Sequence, residues 1–242
     1  MSEDPRPPTL ARLTADAVLD AWAVLVPVSC AACGAPDREL CATCRHRLIS
    51  SPDAPEGVRW TFPDGTPGAA TRRYDRLTAS VLLAYKQEAR IGLLRPLAAA
   101  MRPAFETVLA EAEAEAEAGA EVEGTGGRHG PAVEVATVPA RRRAAMDRGF
   151  HPLELLVRRL GARPARPLCW AREPADQRDF GRIDRFSNLA GALVARADLA
   201  HRRFLLVEDV VTTGATAQEA ARAIRAGGGT VSAVVALARV LP

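Results

Sequence analysis

The sequence predicts an α/β fold, a doubly wound parallel sheet preceded by a small cysteine-rich module. Residues 204–207 form a continuous apolar run, which is typical of a strand buried on both faces of a parallel sheet. Residues 215–225 have a helical pattern ended by three glycines, and residues 231–240 are the next strand candidate. A strand, a helix and a second strand at this spacing predict a right-handed βαβ unit. The cysteine-rich module is predicted by two Cys-x2-Cys motifs near the N-terminus.

Length and composition predict two regions in a water-soluble chain. We expect an N-terminal helix and four-Cys module over residues 1–50 and an α/β domain over residues 51–242. The 242 residues contain no stretch near the ~18 consecutive apolar residues of a spanning helix, which excludes a membrane protein. Residues 139–225 carry 17 basic and 10 acidic side chains. This excess fits a phosphorylated ligand or a nucleic acid, and equally a solvated Arg-rich surface.

The N-terminus contains an apolar run, residues 17–28, that must be compared with an export signal. The start of the chain is acidic at Glu3 and Asp4, and Asp20 interrupts the run. Both features differ from a signal peptide, which begins with basic residues and has an unbroken apolar core. We therefore expect a short amphipathic helix over residues 9–22 and a cytoplasmic protein.

Four cysteines, Cys30, Cys33, Cys41 and Cys44, form two Cys-x2-Cys pairs seven residues apart. This spacing is typical of a tetrahedral four-thiolate site, and Zn²⁺ is the ion that such a site most often holds. A closed four-Cys site leaves no position for water, so the metal is expected to be structural. The alternatives are two disulfides or four reduced thiols.

The middle of the chain predicts a hairpin and two helices. Residues 63–65 read Pro-Asp-Gly, a turn signal within a short hairpin or irregular segment. Residues 77–85 have helical apolar spacing, which places Lys86, the only lysine of the chain, near the end of that helix. A second helix is predicted over residues 91–105. The Ala/Glu/Gly-rich segment at about 110–130 has nothing to bury, so we expect the end of a helix passing into a flexible insertion.

The region before the apolar run alternates strand and helix signals. A strand is predicted over residues 132–139, a loop with four arginines follows, and Pro152 is suited to the first turn of the next helix. A short strand is expected over residues 166–170. The polar segment 173–187 has the composition of a mobile loop, with a helix from about Asn188 onward.

The segment after the apolar run carries the candidate chemistry. Glu208 and Asp209 come first, and the turn that follows contains Thr212, Thr213, Gly214, Ala215 and Thr216. Small hydroxyl residues and a glycine at a helix start offer backbone N–H groups and a helix dipole to a phosphate. Two carboxylates upstream would accept hydrogen bonds from ribose hydroxyls or hold Mg²⁺. The segment therefore predicts a ribose 5-phosphate site at the carboxyl end of a strand.

These motifs resemble those of a known family. The acidic pair followed by Thr-Thr-Gly-Ala-Thr resembles the phosphoribosyl pyrophosphate (PRPP) motif of type I phosphoribosyltransferases. The four-Cys cluster, the segment Arg148-Gly149-Phe150 and the PRPP motif together resemble the ComF family. The chain departs from the family at Thr137, where a proline is usual, and at His151-Pro152, where Asn-Gln is usual.

The resemblance implies a phosphoribosyltransferase-like fold, a PRPP or ribose 5-phosphate ligand bound with Mg²⁺, and a structural Zn²⁺. It also implies a role in DNA uptake during natural competence, beside a helicase and single-stranded DNA. Lid residues are expected between Gln177 and Asn188. The residues implied in catalysis are Glu208, Asp209 and Arg148. Lys86 is added to them because a single lysine in an Arg-rich chain indicates selection for a compact ammonium group. Those implied in phosphate binding are Thr212, Thr213, Gly214, Ala215, Thr216, Arg143, Arg185 and Asn188.

Three functions remain open at the level of sequence. The chain is either an active transferase with an unknown acceptor or a non-catalytic accessory or ligand-sensing module that keeps the ribose-phosphate site. A third function is nucleic-acid contact by the cysteine module, helped by Arg45, His46 and Arg47. An intact acidic pair and Thr-Gly turn favour retained PRPP binding, but binding does not establish turnover.

Overall fold

The structure of the protein, a computed structural model, describes residues 28–51, 53, 57–122, 132–141, 149–172 and 188–241. Its strands are β1 (Val58–Thr61), β2 (Pro67–Arg73), β3 (Val133–Thr137), β4 (Leu168–Trp170), β5 (Leu193–Ala195), β6 (Arg203–Val211) and β7 (Thr230–Arg239). Its helices are α1 (Ala42–Ile49), α2 (Arg76–Gln87), α3 (Leu94–Val122), α4 (Pro152–Leu160) and α5 (Ala215–Ala226).

A mostly parallel sheet forms the centre of the molecule, which confirms the predicted α/β class. Five strands lie in the order β1-β2-β7-β6-β3 within the described residues. The pairs β2–β7, β7–β6 and β6–β3 are parallel, and β1 is an antiparallel edge strand joined to β2 by the predicted turn. Helix α5 connects β6 to β7, as the predicted βαβ unit requires. Strands β4 and β5 form a separate two-stranded ribbon.

Both faces of the sheet are covered, which explains the unbroken apolar run in β6. Phe204 and Leu206 pack in the cluster beneath α5, whereas Leu205 and Val207 pack in the cluster formed with α2, α3 and α4. Successive side chains of a strand point to opposite faces, so a strand covered on both sides must be apolar at every position. The C-terminal ends of β3 and β6 meet at one edge of this layered core.

Helix α3 is longer and better packed than the sequence analysis predicted. It continues to Val122 and takes in the first part of the Ala/Glu segment. The statement that this segment has nothing to bury is wrong there, since Ala112 is 2% exposed and Ala116 is 3% exposed. Glu111 also forms a two-pronged ion pair with Arg59 of β1. Alternation of Ala and Glu places some alanines on the core side of a helix whose glutamates face solvent. The second part of the segment, residues 123–131, lies outside the described residues.

Two further boundaries differ from the predictions. The helix expected from Asn188 onward is limited to Asn188 and Leu189 among the described residues, because the chain turns at Gly191, with φ of 70°, and enters β5. Strand β6 does not end at Val207 but continues to Val211, so that Glu208 and Asp209 are strand residues. The helix predicted over residues 9–22 and the loop predicted over residues 173–187 lie outside the described residues.

None of the helices in the described part of the chain has both the length and the apolar character needed to cross a bilayer.

Candidate functional site

A cavity of about 250 Å³ lies where the C-terminal ends of β3 and β6 meet the first turn of α4 and the last turn of α2. Such an edge is where open α/β sheets bind ligands. Strand β6 contributes Glu208 and Asp209, and α2 contributes Lys86. The other residues that line it are Thr137, Val138, Ala140, His151, Pro152, Leu153, Glu154, Val210 and Thr216.

A second, smaller cavity of about 50 Å³ is formed by the turn between β6 and α5. It is lined by Leu189, Glu208, Val210, Thr212, Thr213, Gly214, Ala215 and Thr216. Because one water needs roughly 10–15 Å³ by this kind of measure, the space suits a small anion or a few waters. Glu208, Val210 and Thr216 line both cavities, so the two are adjacent. The acidic pair, the single lysine and the Thr-Gly turn predicted from sequence are therefore brought together.

Glu208 is buried between the two cavities. Glu208 is 8% exposed, and among the described residues its Oε1 atom has no hydrogen-bond partner. Burial, reinforced by the charge of Asp209, raises the pKa of Glu208 to about 8, against a smaller opposing effect of Lys86. Glu208 is therefore mostly a neutral carboxylic acid at pH 7, able to donate one hydrogen bond and accept others.

Asp209 forms an ion pair with Lys86 of α2 at the wall of the larger cavity. The Lys86 side chain is 32% exposed and that of Asp209 is 23% exposed, so the pair is accessible from solvent. The preceding residue, Tyr85, is buried and donates a hydrogen bond of 2.8 Å to the carbonyl of Pro152 at the start of α4. Tyr85 thus fixes the end of α2 against the first turn of α4, and Lys86 follows it into the cavity.

The Thr-Gly turn has the geometry that its sequence predicts. Gly214 has φ of 78°, in the left-handed region that favours glycine, and caps the N-terminus of α5. A Cβ atom at this position would also come within 2.4 Å of the Phe62 ring. The hydroxyl of Thr213 accepts a hydrogen bond from the backbone N–H of Ala215. The first helical hydrogen bond runs from Gln218 N to the Gly214 carbonyl, and N–H groups ahead of it lack a helical acceptor.

Several residues that line the larger cavity were not predicted as site residues. His151 and Glu154 come from the first turn of α4, and both oxygens of Glu154 are bound by Arg166. Although burial favours the neutral acid, the Arg166 guanidinium holds the pKa of Glu154 below its usual range. His151 was visible as a departure from the ComF-like pattern, but nothing local in the sequence placed Glu154 beside the acidic pair.

Three predicted basic residues, Arg143, Arg148 and Arg185, lie outside the described residues, as do Arg142, Gln177 and Arg182. Asn188 is described and half-buried. Its neighbour Leu189 lines the smaller cavity. Of the site residues predicted from sequence, the described part of the chain therefore brings together the acidic pair, Lys86 and the Thr-Gly turn.

The four cysteines of the N-terminal module form a second candidate site. The sulfur atoms of Cys30, Cys33, Cys41 and Cys44 all lie within 4.8 Å of one another, and none of the four is in a disulfide. Cys30 and Cys33 sit in a tight knuckle closed by a hydrogen bond from Gly34 N to the Cys30 carbonyl, with φ of 77° at Gly34. Cys41 caps helix α1, and Cys44 lies in its first turn. The structure thus has four reduced cysteines gathered in one cluster rather than two disulfides.

The chemistry of these four sulfurs fits a divalent cation. Burial raises the pKa of the Cys44 thiol to about 12, and hydrogen bonds with the other thiols add to the rise. At Cys30 burial favours the thiol, but backbone N–H groups, led by that of Cys41, outweigh it and lower its pKa to about 6. Four adjacent thiolates repel one another, so full ionisation requires a cation among them. The cluster could bind a metal such as zinc.

No protein-family model matches the chain, and no curated protein is significantly similar to it.

Proposed function

We propose that the protein binds PRPP or a ribose 5-phosphate ligand at the C-terminal edge of its sheet and acts as a type I phosphoribosyltransferase-like enzyme. The observation that carries the proposal is the position of Glu208, which lines both the larger cavity and the small cavity of the Thr-Gly turn. A ligand with hydroxyls on one part and a phosphate on the other matches this pair of adjacent spaces.

The small cavity is the proposed phosphate site. Backbone N–H groups at the start of α5 and the hydroxyls of Thr212 and Thr216 would donate to the phosphate oxygens, and the helix dipole favours the negative charge. The Thr213 hydroxyl accepts from Ala215 N and keeps its own O–H, which would also donate to the phosphate, whereas the Ala215 N–H is already engaged. The ribose hydroxyls would lie on Asp209 and Glu208, where Asp209 accepts hydrogen bonds and neutral Glu208 both donates and accepts.

The larger cavity is the proposed place for the diphosphate and the acceptor. Among the described residues that line this cavity, Lys86 is a cation that also contacts the acidic pair, through its ion pair with Asp209. The Lys86 ammonium group, held beside Asp209 at the wall of this cavity, would lie next to the negative charge of the departing diphosphate. Asp209 has carboxylate oxygens that would hold Mg²⁺, and the charge of the ion would offset that of the diphosphate.

The four-Cys cluster is proposed to hold one structural Zn²⁺. Four thiolates complete a tetrahedral shell and leave no coordination position for a substrate. The link to DNA uptake, with a helicase and single-stranded DNA as partners, rests on the ComF-like sequence pattern and belongs to this proposal.

The experiment that tests the proposal is calorimetric titration of PRPP with Mg²⁺, and of ribose 5-phosphate, into the purified full chain. We expect binding to the wild type and a loss of at least tenfold in affinity for Asp209→Asn. Glu134→Gln is the matched control, because Glu134 is a carboxylate at the opposite end of β3, paired with Arg202. Equal absence of PRPP binding in all three proteins would refute the proposal.

A second measurement separates the enzyme from the accessory module. Release of pyrophosphate is measured with PRPP, Mg²⁺ and a panel of nitrogenous bases. Release that depends on a base and is lost in Asp209→Asn identifies a transferase. Binding without release for every acceptor tested supports the non-catalytic, ligand-sensing alternative.

A further inference from the structure

Helix α2, which carries Lys86 into the larger cavity, is tied at its first turn to the four-Cys module, residues 28–51. The link is Arg72, which is 3% exposed. Its Nη1 atom donates to the carbonyls of Arg47 and Leu48 at the end of α1, at 3.0 and 2.8 Å. Its Nη2 atom binds the carboxylate of Asp75 at 2.9 Å, and Asp75 is the N-cap of α2. The end of α1 and the start of α2 are therefore joined through one buried guanidinium.

The segment just after α2 contacts the same module at the cysteine knuckle. Arg90, four residues beyond Lys86, donates from its guanidinium to the carbonyl of Ser29, the neighbour of Cys30. Two residues further on, Gly92 lies directly against Glu39, since a Cβ atom at Gly92 would come within 1.8 Å of the Glu39 carboxylate. The loop between the two Cys pairs thus packs closely on the chain that leaves α2.

Between these two ends, the module and α2 share one hydrophobic cluster. Cys30, Cys44 and Leu48 of the module pack in the cluster that also contains Val81 and Tyr85 of α2. Interiors of this kind are close-packed and transmit small displacements rather than absorbing them. A rearrangement of the cysteine knuckle would therefore displace the end of α2, where Tyr85 holds α4 and Lys86 holds Asp209.

We propose that the four-Cys module is a positioning element for the ligand site: by holding α2 at both ends, it sets the place of Lys86 against Asp209. Arg72 and Arg90 are the positioning residues. The metal of the cluster and the ligand of the cavity are then thermodynamically coupled, so that each raises the affinity of the other by the same factor. Only the coupling to ligand rests on the proposed function, because the position of Lys86 can be measured without a ligand.

The first experiment uses Lys86 as its own reporter, since it is the only lysine of the chain. The full-length, metal-loaded protein is treated with an amine-reactive reagent, and modification of Lys86 is followed by peptide mass spectrometry, which separates it from the N-terminal amine. We compare wild type with Arg90→Ala. The matched control is Arg196→Ala, which likewise removes a guanidinium that donates to a backbone carbonyl, that of Leu168 in β4.

Arg90→Ala is expected to keep its metal and to label Lys86 at least about threefold faster than wild type, in keeping with the weakening of a partly exposed ion pair. Arg196→Ala is expected to label at the wild-type rate. Equal Lys86 labelling in Arg90→Ala and wild type, with metal retained, overturns the proposal, and so does an equal acceleration in Arg196→Ala.

The second experiment removes the metal with a chelator and restores it with Zn²⁺, measuring Lys86 labelling and PRPP affinity in each state. The proposal expects faster labelling and weaker PRPP binding without metal, and recovery of both with Zn²⁺. Binding of PRPP that is unchanged by metal removal, with unchanged labelling, contradicts it. Metal-dependent labelling in a protein that never binds PRPP leaves the positioning role supported and refutes the proposed function alone.

Discussion

The buried carboxyl group of Glu208 makes a specific prediction about stability. Glu208→Gln replaces a group that is neutral in the folded protein near pH 7 with a neutral group of almost the same shape. In the unfolded chain Glu208 has the ordinary glutamate pKa of 4.5, whereas burial raises its pKa in the folded protein to about 8. Between these two pH values the folded state binds the extra proton, so wild-type stability falls as pH rises through this window. The Gln variant lacks this loss.

The size of the effect follows from the two pKa values. At about 1.4 kcal/mol per pKa unit, ionisation of Glu208 in the unfolded chain lowers the free energy of unfolding of the wild type by on the order of 4 kcal/mol between pH 5 and pH 8.5. The two proteins should have similar free energies of unfolding at pH 5, and the variant should be more stable at pH 8.5 by roughly that amount.

The assay is urea unfolding of metal-loaded wild type and Glu208→Gln at several pH values from 5 to 8.5. Any pH dependence of metal binding affects both proteins and cancels in their difference. A difference in the free energy of unfolding that does not change with pH would refute the assignment of a neutral, buried Glu208. A variant that is less stable than wild type at pH 8.5 would refute it as well.

Three further predictions concern other parts of the molecule. Metal analysis of purified protein should find about one equivalent of zinc. The zinc should be lost in the double variant Cys33→Ser, Cys41→Ser and retained in Cys169→Ser. Four freely titratable thiols and no metal in the wild type would contradict zinc binding by the four-Cys cluster. Ala116→Glu should lower the free energy of unfolding in urea by about 2–4 kcal/mol, because it buries a charge, while Glu113→Ala should change it little; equal effects would mean that this part of α3 is not packed. Gly214→Ala should lower the thermal midpoint through a strained φ and contact with the Phe62 ring, a loss of about 1–3 kcal/mol, and an unchanged midpoint would contradict the turn geometry.

The layered fold was predictable because its signals are local. The apolar run of β6, the glycines after α5 and the Pro-Asp-Gly turn each specify their own element, and the structure confirms all three. The Cys-x2-Cys pairs likewise predicted their own convergence, since each pair forms a knuckle within a few residues. Lys86 was singled out because it is the only lysine, and the structure places it on Asp209.

The errors arose where tertiary packing decides the outcome. The hydropathy pattern predicted that β6 ends at Val207, the last residue of the apolar run. Pairing with β7 instead continues the strand through the acidic pair to Val211. Because the strand continues, Glu208 is buried. Nothing in the sequence indicates that Glu208, rather than Asp209, is the buried carboxylate. The Ala/Glu segment was expected to be unpacked, yet Ala112 and Ala116 lie against the core. Glu154 lines the larger cavity because α4 starts beside the end of β6, and the sequence does not indicate that these two elements are close.

The most direct test of the central claim is the calorimetric dissociation constant of PRPP with Mg²⁺ for wild type and Asp209→Asn. Asp209→Asn removes the charge and one of the two acceptor oxygens. Because a hydrogen bond to a charged carboxylate contributes roughly 1.5–3 kcal/mol, binding should weaken by about 10- to 100-fold. Circular dichroism and the thermal midpoint should show that the variant is folded, and Glu134→Gln should bind as wild type does. Wild-type protein that takes up no PRPP, or an Asp209→Asn variant that binds it equally well, would contradict a ribose-phosphate site at this edge of the sheet.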